Sequence, residues 1–243
     1  MAQRISSVNS ISALCESTGA DINQVKKAIG MDTRIGEKFL SPGPGFGGSC
    51  FQKDILNLVY LSSFYKLEEV ANYWQGVIAI NNWQKSRISR LVVNYLFGNV
   101  SEKKIAILGF AFKANTNDTR QSPSIDICKD LLEEGAHLSI YDPKVENLKI
   151  IDDLQNDLNK IQVNQGYGSW EITSSVLDAA NGSDAIILLT EWNEFLNIAW
   201  KKIIILMRKP AWVFDTRSCI DYKSARKAGL NVWKIGNSPF LNE

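Results

Sequence analysis

The chain has 243 residues, of which 45% are hydrophobic, and a net charge of +1. That length suits one large domain or two modest ones, and so much apolar content excludes disorder. The charge balance gives no footing for binding nucleic acid or a membrane surface, and no apolar run reaches the ~20 residues of a membrane span. Met1-Ala2-Gln3-Arg4 leads into no signal-peptide core. Cys15, Cys50, Cys128 and Cys219 lack CxxC or zinc-type spacing, so no metal is expected and a reduced, cytoplasmic setting is the simplest account.

Periodicity divides the chain into a helical part, residues 1–100, and an α/β part, residues 101–243. In the first, Ile5, Val8, Ile11 and Leu14 recur at helical spacing and stop at Gly19, a left-handed cap. Asp21 then caps a short helix carrying Val25 and Ile29 and closed by Gly30. The run from Gly43 to Gly48 holds four glycines and a proline in six positions. Such a segment cannot belong to a helix or strand interior. It leads into the apolar helix former Ile55–Leu61, so it aims backbone N–H groups and a helix N-terminus at whatever it faces. Cys50 stands at that junction, where the helix end favours thiolate, and Asp54 follows one turn later. A nucleophile, a carboxylate and a floor of amides are thus predicted in one short segment. The competing reading is a tight turn with a buried structural cysteine.

A long stripe follows: Val70, Tyr73, Trp74, Val77, Ile78, Asn81, Ile88, Leu91, Val92, Tyr95 and Leu96. A helix of ~28 residues spans ~42 Å, more than a compact domain needs for itself. It is expected to bridge two domains or to leave its stripe for a subunit contact.

After residues 98–102 the period changes. Strands are predicted at Lys104–Gly109, Ala136–Tyr141, Trp170–Ser174, Ala185–Thr190, Trp212–Asp215 and Asn231–Ile235, with helices between several of them. The natural assembly is an open, doubly wound parallel sheet with its ligand site at the strands' carboxyl ends. The first βα loop offers Gly109, Ala111 and Ala114 in place of G-x-G-x-x-G, so it is no convincing dinucleotide site. It offers Lys113, Asp118 and Arg120 instead, either a phosphate site or a solvated polar loop. Asp142 reads as a ribose ligand or, more simply, as an Asp-Pro turn. His137, the one histidine, falls within a strand and reads as structural.

The run GFGGSCFQKD, with AQRISSVNSISALCE, MDTRIGEKFL, ILGFAFKANTNDTRQSPS, GAHLSIYDPKV, LLTEW and VFDTRS, resembles the UDP-glucose/GDP-mannose dehydrogenase family over essentially the whole chain. The resemblance implies a helical central, dimer-forming domain followed by a Rossmann-like domain that binds a UDP-sugar. It also implies NAD-dependent oxidation of a nucleotide-sugar alcohol to a carboxylate, in two steps through an aldehyde. Cys50 matches the family thiol that forms a thiohemiacetal and then a thioester, and Asp54 the carboxylate that handles water. Phe39, Leu40, Ser41, Pro42, Gly43, Pro44, Gly45, Phe46 and Gly47 match the loop that wraps the substrate. Phe112, Lys113 and Arg217 match further substrate contacts, and Arg34 matches an arginine reaching the neighbouring subunit's site. Cys50, Phe51, Gln52, Lys53 and Arg120 match positions facing NAD. Family members carry an amino-terminal NAD domain and a catalytic lysine and asparagine ahead of the segment matched here. The chain by itself is therefore expected to be inactive, or else to serve as a nucleotide-sugar-binding or dimerisation module. UDP-glucose is the expected substrate, with UDP-N-acetylmannosamine and GDP-mannose as alternatives.

Overall fold

A computed structural model of the chain describes residues 1–158 and 167–237. Four helices come first: α1 (Ala2–Thr18), α2 (Ile22–Gly30), α3 (Phe51–Phe64) and α4 (Glu68–Tyr95). α1 ends as expected at Gly19, whose φ of 82° lets its N–H reach the Cys15 carbonyl. Asp21 caps α2 by accepting from Asn23 N at 2.8 Å. Gly30 is not the stop; α2 runs through it and closes at Met31.

The inner face of α1 differs from the apolar stripe that spacing suggested. Leu14 is exposed, whereas Ala2, Ser6, Val8, Asn9, Ser12 and Cys15 are buried. Small and polar side chains let α1 lie close to α4, where Ser6 Oγ donates to the Val77 carbonyl at 2.8 Å.

α4 is the 28-residue helix that the stripe predicted. From Val77 onward the chain itself covers most of the stripe, so that length of it is not left for a partner. Val77 and Ile78 pack with Ala2, Phe46 and Ile55. Ile88, Val92 and Leu96 join the core of the sheet. One apolar face thus serves two cores in succession. The start of the stripe stays open: Val70 and Tyr73 are exposed, as are Leu67 and, at the end of α3, Leu61, Phe64 and Tyr65.

Among its described residues the second part has six strands, β1 (Lys104–Leu108), β2 (His137–Tyr141), β3 (Ser169–Ile172), β4 (Ala185–Leu188), β5 (Trp212–Asp215) and β6 (Asn231–Lys234). All pairings are parallel and the order is β3-β2-β1-β4-β5-β6. Helices α5 (Pro123–Glu133), α6 (Asn147–Leu158), α7 (Val176–Ala180), α8 (Trp200–Leu206) and α9 (Tyr222–Lys227) fall between strands. The fold class is therefore α/β, a helical part joined by one long helix to a doubly wound Rossmann-like sheet. β1 and β4 are neighbours although β2 and β3 intervene in sequence, and such a switch in order opens a crevice at the strands' carboxyl ends. β4 is two residues shorter than expected because Thr190 turns aside, its Oγ1 donating to the Ala111 carbonyl at 2.6 Å. β3 ends at Ile172 and β6 at Lys234, each short of the predicted limit.

His137 opens β2 at the opposite end, 2.7 Å from Ser169 Oγ and 3.3 Å from Glu102 Oε2, in keeping with a structural part. Cys15 and Cys128 are buried, whereas Cys219, in an apolar segment that reads as core, is only half-buried. Asp142 is fully engaged by its own chain. Its Oδ2 accepts from Phe110 N, Ala111 N and Trp192 Nε1 at 2.6, 3.0 and 3.1 Å, and its Oδ1 from Lys144 N and Val145 N at 2.9 and 3.0 Å. The turn reading holds, and no ribose is needed to explain the residue. Replacing Asp142 by Ala strands several donors at once, so Asp142→Ala should lose about 2–4 kcal/mol of stability in urea denaturation, given the ~1–3 kcal/mol cost of one buried unpaired group. A change below ~0.5 kcal/mol would refute the hub.

Candidate functional site

The glycine-rich loop is buried from Pro42 to Gly48 and lies across the carboxyl ends of the sheet. Its sequence follows from what it touches. Gly45 has a φ of 140°, and a Cβ there would sit 3.0 Å from Asn81 Oδ1. A Cβ at Gly47 would collide with the Gln121 carbonyl and come within 2.9 Å of Phe112 Cβ. Gly48 N donates to the Arg120 carbonyl at 2.8 Å. Only glycine permits so close an approach of two backbones. Phe39, Gln121 and Ser218, on three loops around this region, also hold positive φ values of 62°, 55° and 52°. Non-glycine residues seldom sit there, and such strained positions gather at functional sites.

A pocket of about 270 Å³ opens here, and its lining includes Ser41, Gly43, Gly45, Phe46, Gly47, Phe112, Lys113 and Arg217, with Phe39, Phe51, Ile5 and Glu191. Residues far apart in sequence are thus brought together. Leu40 is buried beside the pocket lip and faces the α1–α2 groove. Pro42 and Pro44 are buried within the loop. Arg34 is not in the pocket; its exposed guanidinium pairs with Asp32 at 2.6 Å.

Arg217 is the pocket's fixed cation. Its Nε donates to the Leu189 carbonyl at 2.7 Å and its Nη2 to the Phe112 carbonyl at 3.1 Å. Glu191 Oε2 is 3.2 Å from Nε. Burial lowers the Arg217 pKa, and the charges of Glu191, Cys219 and Asp215 oppose that. A guanidinium stays protonated regardless. The turn that aims it is built on Asp215, wholly buried, which accepts from Arg217 N, Cys219 N and Ile220 N at 3.1, 3.2 and 3.1 Å. Burial raises the Asp215 carboxyl pKa and these three amides oppose it. Lys113 is exposed, its Nζ 5.3 Å from the Phe112 ring centre.

Cys50 is the residue just before α3, exposed, with its sulfur 3.6 Å from Ser49 Oγ. Asp54 lies one turn on, its N–H donating to the Cys50 carbonyl at 2.8 Å, and its side chain is exposed in the first turn. Gln52 is half-buried and Lys53 exposed on the same turn. Arg120 borders this edge, where a Cys50 charge is near enough to raise the pKa of its guanidinium, though the Asp118 hydrogen bond dominates. That Asp118 pair, 2.7 Å, means Arg120 is not a bare cation. Among the described residues no group of three or more His, Cys, Asp or Glu is placed to hold a metal ion. No helix among them is long and apolar enough to cross a membrane.

Sequence reasoning missed Glu191, and it missed that Asn9 and Gln84 reach the loop. Asn81 carried a signal, a polar residue inside an apolar stripe.

Comparison with known proteins gives the following. Residues 1–83 match the model of the central domain of the UDP-glucose/GDP-mannose dehydrogenase family, and residues 106–222 that of its UDP binding domain. UDP-glucose 6-dehydrogenase of Drosophila melanogaster is 50% identical over 236 residues, 97% of this chain and 50% of that protein. The Caenorhabditis elegans enzyme of the same name is 50% identical over 239 residues, 98% of this chain and 49% of that protein. The chain thus spans about half the length of the curated relatives it matches. Among solved structures, a UDP-glucose dehydrogenase from Pyrobaculum islandicum superposes with a TM-score of 0.74 at 24% identity, covering 98% of this chain and 48% of that one. At so low an identity the likeness speaks for the fold alone.

With Cys50 open to solvent and Cys15 and Cys128 buried, brief iodoacetamide treatment of the folded chain should label Cys50 first and Cys128 last, by mass mapping. Burial raises the thiol pKa of Cys15, Cys128 and Cys219, which slows them further. Equal labelling of all four would overturn the assignment.

Proposed function

The chain belongs to the UDP-glucose/GDP-mannose dehydrogenase family, and on that premise we propose that it is the central and nucleotide-binding part of an NAD-dependent UDP-glucose 6-dehydrogenase. The observation that carries the reading is the single pocket in which Ser41, Gly43, Phe112, Lys113 and Arg217 meet, one residue away from the exposed thiol through Phe51. A buried guanidinium beside backbone groups suits a diphosphate, and aromatic and glycine surfaces suit a flat base and a sugar.

The proposed chemistry converts the sugar's primary alcohol to a carboxylate with two NAD and one water. Loss of one hydride from the alcohol carbon, with the hydroxyl proton passing to water, gives the aldehyde. Cys50 thiolate then adds to the aldehyde carbon, forming the C–S bond of a thiohemiacetal. Loss of hydride from that carbon leaves a thioester. Water then adds to it, the C–S bond breaks, and the carboxylate departs while the thiol is regenerated. Asp54, on the same helical turn, positions that water. A thiol suits the task because sulfur adds readily to an aldehyde and leaves readily from an acyl carbon. NAD, when bound, accepts both hydrides. The residues that would hold its edge here are Cys50, Phe51, Gln52 and Lys53 at the start of α3, with Arg120 beside them. The β1–α5 loop does not fit a dinucleotide, since Ala111 and Ala114 replace glycines and Asp142 is engaged internally. Most of the NAD site therefore belongs to another domain of the complete enzyme.

Calorimetry with UDP tests the pocket. Binding should be seen at or below millimolar UDP, and Arg217→Ala should weaken it by at least tenfold, in line with ~1.5–3 kcal/mol for a hydrogen bond to a charged group. No heat at millimolar UDP would count against the reading.

The same reading makes the chain a homodimer, with the two parts divided near residue 100 and Arg34 serving the partner's pocket. What supports it is the apolar patch of Leu61, Phe64, Tyr65, Val70 and Tyr73, since contiguous surface of this kind normally marks an interface. Light scattering at micromolar concentration should give twice the chain mass. Phe64→Glu, at a position 66% exposed, should halve it while the circular dichroism spectrum stays that of the folded chain. A wild-type mass of one chain, unchanged on concentrating, would refute the dimer.

A further inference from the structure

Three buried side-chain amides have no part in the proposed reaction, and all three meet the glycine-rich loop. Asn9 Oδ1 accepts from Gly43 N at 2.9 Å, and Gln84 Nε2 donates to the Gly43 carbonyl at 2.8 Å. Asn81 holds Phe46 twice, its Oδ1 accepting from Phe46 N at 2.8 Å and its Nδ2 donating to the Phe46 carbonyl at 3.2 Å. Their exposures are 0%, 1% and 0% for Asn9, Asn81 and Gln84. We propose that Asn9, Asn81 and Gln84 are positioning residues, a clamp that fixes Gly43–Phe46 in the one shape that receives the nucleotide sugar. The proposal rests on the pocket being a nucleotide-sugar site.

The physical need is plain. A buried loop still has to satisfy its peptide groups, and among the described residues no strand pairs with this one. Asparagine and glutamine alone carry both an amide donor and an amide acceptor, so they can close one residue's N–H and C=O as a ladder would. Asn81 and Gln84 stand three apart on α4 and therefore share a face. Glycine-rich chain has the most conformational freedom to lose, so it gains most from being held. The amides stabilise the fold as well, since removing one leaves peptide groups of Gly43 or Phe46 buried and unpaired at ~1–3 kcal/mol each. Loop order and ligand affinity, and not stability alone, are therefore the readouts that decide the role. What the amides supply is a defined loop.

Two near-isosteric variants, Asn81→Leu and Gln84→Met, test this, with Ile150→Val as a control in the core of the sheet. UDP affinity by calorimetry and hydrogen exchange over the peptide 43–47 are read on each. Both clamp variants should weaken UDP about tenfold and speed exchange of that peptide at least tenfold, while β1 peptides stay unchanged. Ile150→Val should lower the melting temperature and move neither readout. Unchanged exchange in both clamp variants, or an equal change in Ile150→Val, overturns the clamp. If wild type binds no UDP, the pocket reading fails, yet the exchange result still decides whether these amides hold the loop. Should Asn81→Leu not fold, Gln84→Met carries the test.

Discussion

The rest of this structure depends on a stretch of main chain, from Pro42 to Gly48, that is buried without belonging to a helix or sheet. Each buried peptide group there needs a partner, and unpaired ones cost ~1–3 kcal/mol apiece. The neighbouring elements are shaped by that need. α1 turns a face of serine, alanine and asparagine inward, because larger apolar side chains would keep it away from the loop. α4 interrupts its apolar stripe with Asn81 and Gln84, and the Arg120 carbonyl takes Gly48 N. The glycines answer the opposite demand, since backbone and ring atoms of Gln121 and Phe112 leave no room for a side chain. Where the loop ends, α3 begins, so the position of the Cys50 thiol is set by how the loop is held.

Charge is arranged on the same plan. A largely buried arginine is costly unless it is hydrogen-bonded and paired, and Arg217 donates to two carbonyls with the Glu191 carboxylate as its counter-charge. Carbonyl oxygens carry only partial charge and Glu191 is half exposed, so the guanidinium keeps much of its attraction for an anion. The helical and sheet parts are tied by charge as well. Lys85 Nζ meets Asp126 Oδ2 at 2.6 Å and Ser89 Oγ meets Asp130 Oδ2 at 2.7 Å, both joining α4 to α5. Lys85 is nearly buried and its stem lies against Gly45, so the tie and the loop share one side chain.

How much could be read from sequence follows from range. The six strands, the long helix, the Gly19 stop and the loop-to-helix junction at Cys50 are local patterns, and each stands where pattern placed it to within a few residues. The convergence of Ser41, Phe112, Lys113 and Arg217 came from resemblance to a family, since nothing local links residues so far apart. Pattern failed where a residue's partner is distant. The α4 stripe says that a face is buried but not by what, and two cores of the same chain proved to be the answer. Asn81 stood out in that stripe, but its partner Phe46 lies 35 residues away. Asp142 looked like a turn or a ligand, and only the fold reveals five donors converging on it.

α4 connects the patch, the loop and the sheet. Its first turns carry Val70 and Tyr73 in the exposed apolar patch, its middle carries the two loop-holding amides, and its last turns sit in the sheet core. From Tyr73 to Asn81 is eight residues, ~12 Å along the axis at ~1.5 Å per residue. An unbroken helix of this length moves as one body over such a span. Whatever covers the patch therefore bears on the same rigid element that shapes the pocket. Placing an assembly surface and a substrate loop on one helix makes loop order depend on how that helix is seated, in contrast to a fold that keeps its binding loop on an independent hairpin.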